Sequence, residues 1–120
     1  MRVLGIRWLG SPTDRYAETV AFAKDVLGLD LRFEAEDFAV FETANGDTFE
    51  VFGPKGIADG HEFMVAPVAG FEVEDVAAAR REMEAKNVRF IGPIHEGDSS
   101  AWSHFYGPDG HVYELTAVKR

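Results

Sequence analysis

Three side chains in this sequence combine residue type and spacing in a way that could do chemistry: Glu50, Glu114 and His104. Each glutamate interrupts an otherwise apolar alternating stretch, Thr48-Phe49-Glu50-Val51 and Val112-Tyr113-Glu114-Leu115, so each is one carboxylate on a strand face. Two carboxylates in equivalent positions can orient a cationic ligand or hold a divalent ion with several waters. An imidazole beside one of them adds proton transfer. His104 lies two residues before the turn Gly107-Pro108-Asp109-Gly110. If that turn spans Gly107 to His111, Tyr106 pairs with Val112 and His104 with Glu114, on one face; a loop one residue shorter sets His104 against Tyr113 instead.

The elements that must position these residues occur twice. Asn45-Gly46-Asp47-Thr48-Phe49-Glu50-Val51 returns half a chain later as Asp109-Gly110-His111-Val112-Tyr113-Glu114-Leu115, and Phe38-Ala39-Val40-Phe41 aligns with Trp102-Ser103-His104-Phe105 at the same offset. Both copies read as hairpins with Asn-Gly or Asp-Gly turns. Upstream, Thr13 to Leu29 reads as a helix with Tyr16, Val20, Ala23 and Leu27 on one face and Gly28 as its cap. Its counterpart starts at Asp75, shows Val76, Ala79 and Met83 on one face, and runs towards Asn87. Arg80, Arg81, Glu82, Glu84 and Lys86 read as its solvated side. Apolar strand candidates flank each helix, Val3 to Gly10 and Asp30 to Glu34 in one copy, Met64 to Val73 and Val88 to Ile91 in the other. The fold class read from this is α+β: strand, helix, strand, strand, strand, twice. It is one domain over residues 1–120, made of modules at about 1–55 and 61–120 with a Gly/Pro-rich linker over 53–60.

Composition narrows the function classes. A chain of 120 residues, 46% hydrophobic with ten Phe, can bury one core, and it has no apolar run of about 18 residues with which to span a membrane. Its start, Met1-Arg2-Val3-Leu4-Gly5, does not read as a signal peptide. The absence of cysteine excludes disulfides, thiolate catalysis and Cys-ligated zinc, and fits a reducing cytoplasm. A net charge of -9 without clustered Lys and Arg argues against a nucleic-acid partner. A curled sheet of few strands in so apolar a chain is expected to cover its edges by forming a homodimer.

The remaining aromatic and histidine residues sort by context. Trp102 shares a face with His104 and Tyr106 by alternation, and with Trp8 and Tyr113 it would supply an aromatic wall for a flat or cationic organic molecule. Phe22, Phe71 and Phe105 read as core. His61 and His111 read as exposed loop residues, and His95 falls in a segment, Gly92 to Ser100, that reads as an inserted loop able to act as a lid. Gly107-Pro108-Asp109-Gly110 precedes a strand and is no phosphate loop, and Ser99-Ser100 has no nucleophile-elbow context.

Three segments carry a family resemblance. Phe22-Ala23-Lys24-Asp25-Val26-Leu27-Gly28-Leu29, Gly70-Phe71-Glu72-Val73-Glu74-Asp75-Val76 and Phe105-Tyr106-Gly107-Pro108-Asp109-Gly110-His111-Val112-Tyr113-Glu114-Leu115 resemble, in this order and spacing, the vicinal oxygen chelate superfamily of glyoxalase I, bleomycin-resistance proteins and extradiol dioxygenases. The resemblance implies paired βαβββ modules forming a half-open curled sheet around a cavity, with Glu50 and Glu114 turned into it. Metal-using members place a His on the first strand and a Glu on the last strand of a module. Glu50 and Glu114 match the last-strand positions, but the first-strand positions fall on Trp8 and Val68, which cannot ligate. Two readings remain open. One is a protein without a tight transition metal, and with no other cofactor, that binds a small aromatic or cationic molecule through Trp8, Glu50, Trp102, Tyr106 and Tyr113. In that reading it either sequesters the molecule or transforms it by acid–base chemistry at His104 and Glu114. The other is a metal-dependent lyase or dioxygenase with a divalent ion on Glu50, His104 and Glu114.

Overall fold

The two Gly-containing turns form as their sequences require. Gly46 and Gly110 take φ of +88° and +80°, and their N–H groups donate to the carbonyls of Thr43 and Gly107, closing each turn ahead of its final strand. A computed structural model describes residues 1–56 and 66–119. Along the chain these form β1 (Gly5–Pro12), α1 (Tyr16–Ala21), β2 (Asp30–Ala35), β3 (Phe38–Glu42), β4 (Thr48–Phe52), β5 (Val68–Glu72), α2 (Val76–Glu84), β6 (Phe90–Glu96), β7 (Ser100–Tyr106) and β8 (Val112–Val118). The order strand, helix, strand, strand, strand is therefore present twice, as the duplicated sequence demands. Of the linker, Pro54–Gly56 forms a single 3₁₀ turn, while residues 57–60, like Met64 and His61, lie outside the described residues.

The described residues group into two compact units. In one, from Trp8 onward, the strands run in the order β2-β3-β4-β1, with β1 parallel to β4 and the other pairs antiparallel. Its core gathers Val20, Ala23, Ala39, Phe41 and Val51, with Tyr16, Leu29, Leu31 and Phe49 packed against it. In the other, residues 1–7 join the second module, whose strands run β5-β8-β7-β6 with β5 parallel to β8. There α2 lays Val76 and Ala79 over Val73, Phe105, Leu115 and Ala117. Asp75 caps this helix by accepting the Ala78 N–H at 3.0 Å, and Asn87 takes the left-handed conformation (φ +68°) just past its end.

Two local irregularities correct the reading of the sequence. The first helix is shorter than Thr13 to Leu29 and changes pitch: Phe22–Val26 is a π turn, with the Leu27 N–H donating to the Phe22 carbonyl. The widened turn inserts a residue into the 3.6-residue period, so Val20 and Ala23 stay buried while Leu27 rotates out to 52% exposure. Phe22, read as core, is 51% exposed, because it lies one position off the face of Val20 and Ala23. The second irregularity lies in β6. Gly92 to Glu96 is not part of a lid loop but continues the strand, interrupted by a bulge between Ile91 and His95, and the connection to β7 is a tight turn closed by the Gly97 N–H on the Ser100 carbonyl. Gly and Pro at 92 and 93 look like loop punctuation, yet a bulge tolerates both, Gly92 supplying φ +68° and Pro93 a position that needs no ladder donor.

Candidate functional site

Strands β7 and β8 set the central pair. Tyr106 pairs with Val112 and His104 with Glu114, the longer-turn register, so the two side chains project from adjacent strands on one face. Alternation puts Trp102 and Tyr106 on that same face of β7, while Ser103 and Phe105 turn towards α2. His104 Nε2 lies 2.9 Å from Glu114 Oε2, and the two residues are 9% and 5% exposed. Burial pushes the Glu114 carboxyl above its usual range; the hydrogen bond and charge of His104, and the charge of His95, pull the other way. A buried carboxyl hydrogen-bonded to an imidazole can exchange a proton with it with little movement.

His95 is the residue that sequence reasoning placed elsewhere. The β6 bulge brings it opposite Trp102, where the two rings stack with centroids 5.7 Å apart and planes 21° from parallel. The same imidazole lies 6.3 Å from the His104 ring. His95, Trp102, His104 and Glu114 thus form one continuous surface of two imidazoles, an indole and a buried carboxyl. The signal that could have revealed it is the alternation of Ile91, Pro93 and His95, which survives the Gly-Pro step.

The other candidates fall as follows. Tyr106 shares the face and carries the Arg89 guanidinium 4.2 Å from its ring centroid. Tyr113 is turned the other way: its ring packs on Phe105 and Phe71, with centroids at 5.8 Å and 6.1 Å, and its hydroxyl donates to Asp109. Consecutive residues of a strand face opposite sides, so Tyr113 does not join Glu114. In the first unit Glu50 pairs with Gly10 and Thr48 with Trp8, which places Trp8 and Glu50 on one face of β1 and β4. The Trp8 indole lies so close over Gly10 that a Cβ there would collide with it. His111 is exposed beside Asp109 at its turn.

A transition-metal ion does not fit this donor set. The first-strand positions carry the Trp8 indole and the buried Val68, and the Glu114 carboxyl is engaged by His104 in a desolvated setting. Among the described residues no three or more His, Cys, Asp or Glu side chains gather as ligands would.

Comparison with known proteins adds the family. No curated protein matches the chain significantly. Among solved structures it is similar to methylmalonyl-CoA epimerase from Mycobacterium tuberculosis (TM-score 0.73, 16% identity, 98% of this chain and 90% of that one). It is similar to the Mn(II)-bound glyoxalase from Novosphingobium aromaticivorans (TM-score 0.76, 21% identity, 97% of this chain and 39% of that one). It also resembles a glyoxalase/bleomycin resistance protein/dioxygenase superfamily member from Vibrio splendidus 12B01 (TM-score 0.66, 16% identity, 91% of this chain and 95% of that one). At such identities these likenesses speak for the fold. The family model described as Glyoxalase/Bleomycin resistance protein/Dioxygenase superfamily matches residues 5–115, almost the whole of both βαβββ modules, and the chain belongs to that superfamily.

Proposed function

We propose that this protein binds a small planar organic molecule, aromatic or cationic, against the β6–β8 face and moves a proton on it through His104 and Glu114, with no tightly held transition metal. The observation that carries the reading is the buried 2.9 Å contact between His104 and Glu114, with the stacked His95–Trp102 pair beside it. An aromatic surface supplies contact area to a flat ligand, and the pair supplies an acid and a base whose balance burial has shifted. Glu50 and Trp8, expected from the sequence as ligand contacts, share one face of the first unit. The working form is proposed to be a homodimer, because Phe22, Val26, Leu27 and Phe33 are all more than half exposed in the single chain, and a cytoplasmic one, because a chain without cysteine fits a reducing compartment. No helix among the described residues is long and apolar enough to cross a membrane.

The test is a screen of planar aromatic and cationic compounds by ligand-observed NMR, repeated on Trp102→Ala and His104→Gln, with metal analysis of protein purified without chelator. The expected result is binding weakened by on the order of 1–3 kcal/mol in Trp102→Ala. Stoichiometric Zn²⁺, Ni²⁺, Fe²⁺ or Mn²⁺ of micromolar or better affinity would replace this reading with the metal-dependent one.

A further inference from the structure

Arg80 belongs to α2, on the side that the sequence assigns to solvent, yet its side chain is only 20% exposed. Its Nη1 donates to the Gly92 carbonyl at 2.9 Å and to Ser103 Oγ at 3.1 Å. The guanidinium lies 4.8 Å from the Phe90 ring centroid, and Nε is 3.5 Å from Glu84 Oε2 on the next turn of the helix. These partners share one location. Ile91 opposes His104 and His95 opposes Trp102, so Gly92, Pro93 and Ile94 together occupy the place opposite Ser103. Arg80 therefore grips the bulge from both strands, by a carbonyl of β6 and by the β7 hydroxyl that faces it.

The bulge decides where His95 stands. An uninterrupted ladder continuing from Ile91 and His104 would set Pro93 opposite Trp102 and carry His95 on to Ser100, displaced by two residues or about 7 Å. With the bulge in place, His95 stacks on Trp102 and stands next to His104. A bulge disrupts the local ladder, and the Gly92 carbonyl is satisfied instead by a charged donor that also fills the space beneath it.

We infer that Arg80 is a positioning residue: by holding the β6 bulge it sets the register that brings His95 onto Trp102 and beside the His104–Glu114 pair. The functional weight of this inference rests on the proposed site, but the positioning itself can be read without any ligand. The chain has two tryptophans, so Trp8→Phe leaves Trp102 as the sole indole emitter. A protonated imidazole stacked on an indole quenches its fluorescence, so the emission lost on acidification reports the His95–Trp102 contact. The His104 ring lies 6.3 Å from that of His95, and the Glu114 carboxyl feels the charge of both, which makes His95→Gln and His104→Gln the controls.

In the Trp8→Phe background, the expected result is a pH-dependent quench that His95→Gln abolishes and His104→Gln retains. Arg80→Met should reduce its amplitude at least threefold while cooperative melting persists, and Arg80→Lys, which keeps a donor for the Gly92 carbonyl, should restore at least half of it. If Arg80→Met does not fold, Ser103→Ala replaces it and should lower the amplitude measurably. A quench that survives His95→Gln, or that persists undiminished in Arg80→Met or Ser103→Ala, overturns the inference. The proposed function fails separately: a His104→Gln protein with unchanged ligand affinity and turnover would remove it and leave the fluorescence result standing.

Discussion

Glu114 is the more deeply buried partner of His104, and folding makes its carboxyl harder to ionise than it is in the unfolded chain. Between the ordinary carboxylate pKa and the raised native one, the folded protein binds more protons than the unfolded one. The stability contributed by this group is complete below the ordinary value and is lost as pH rises through the native value. Glu114→Gln has no such dependence. The melting temperature of the variant minus that of the parent should therefore climb as pH is raised from about 4 upward; a difference that falls instead would mean that His104 outweighs desolvation.

His104→Gln keeps a polar side chain able to reach Glu114 but removes the imidazole. Expected is a folded protein in which turnover of any substrate found in the screen drops by about 10²–10⁴-fold, as when a general acid or base is lost. A sharp fall in melting temperature with ligand affinity and turnover intact would make the histidine a strand-pairing element, and the acid–base half of the proposal would go.

The second helix offers a purely structural check. Asp75 accepts the Ala78 N–H, one of the helix-start donors that have no partner within the helix. Asp75→Ala should cost about 1 kcal/mol in denaturant unfolding, with ligand binding unchanged.

Assembly can be measured directly. Light scattering at high micromolar concentration should give twice the 13.3 kDa chain mass. If it does, Phe22→Glu or Val26→Glu, placed on the exposed π turn, should shift the mass towards the single chain. A monomer in the parent protein, or a dimer indifferent to both substitutions, removes this part of the proposal.

Much of the fold was legible because turn chemistry and strand alternation are local. The Asp109-Gly110 turn and the apolar spacing around it left Glu114 or Tyr113 as the partner of His104, and the structure takes the first, with Tyr106 opposite Val112. What escaped depends on partners distant in sequence. Nothing in Phe22 to Val26 announces a π turn, because the pitch change answers to packing of the whole helix on its sheet. The β6 bulge is defined by two strands at once, so His95 could not be placed before β7 was in position. Arg80 looked like one of several helix-surface charges for a similar reason: its acceptors belong to β6 and β7. Tyr113 was misjudged more simply, since adjacency to Glu114 in a strand means the opposite face.

The duplicated hairpins differ at one rung. Where His104 stands across from Glu114 in the second module, Val40 stands across from Glu50 in the first. Both modules repeat the same order of elements, but an imidazole faces the strand glutamate in only one of them, so the proposed acid–base pair belongs to the second module alone. Val40→His would enter the missing letter, and the molecule would then carry the same chemical word twice.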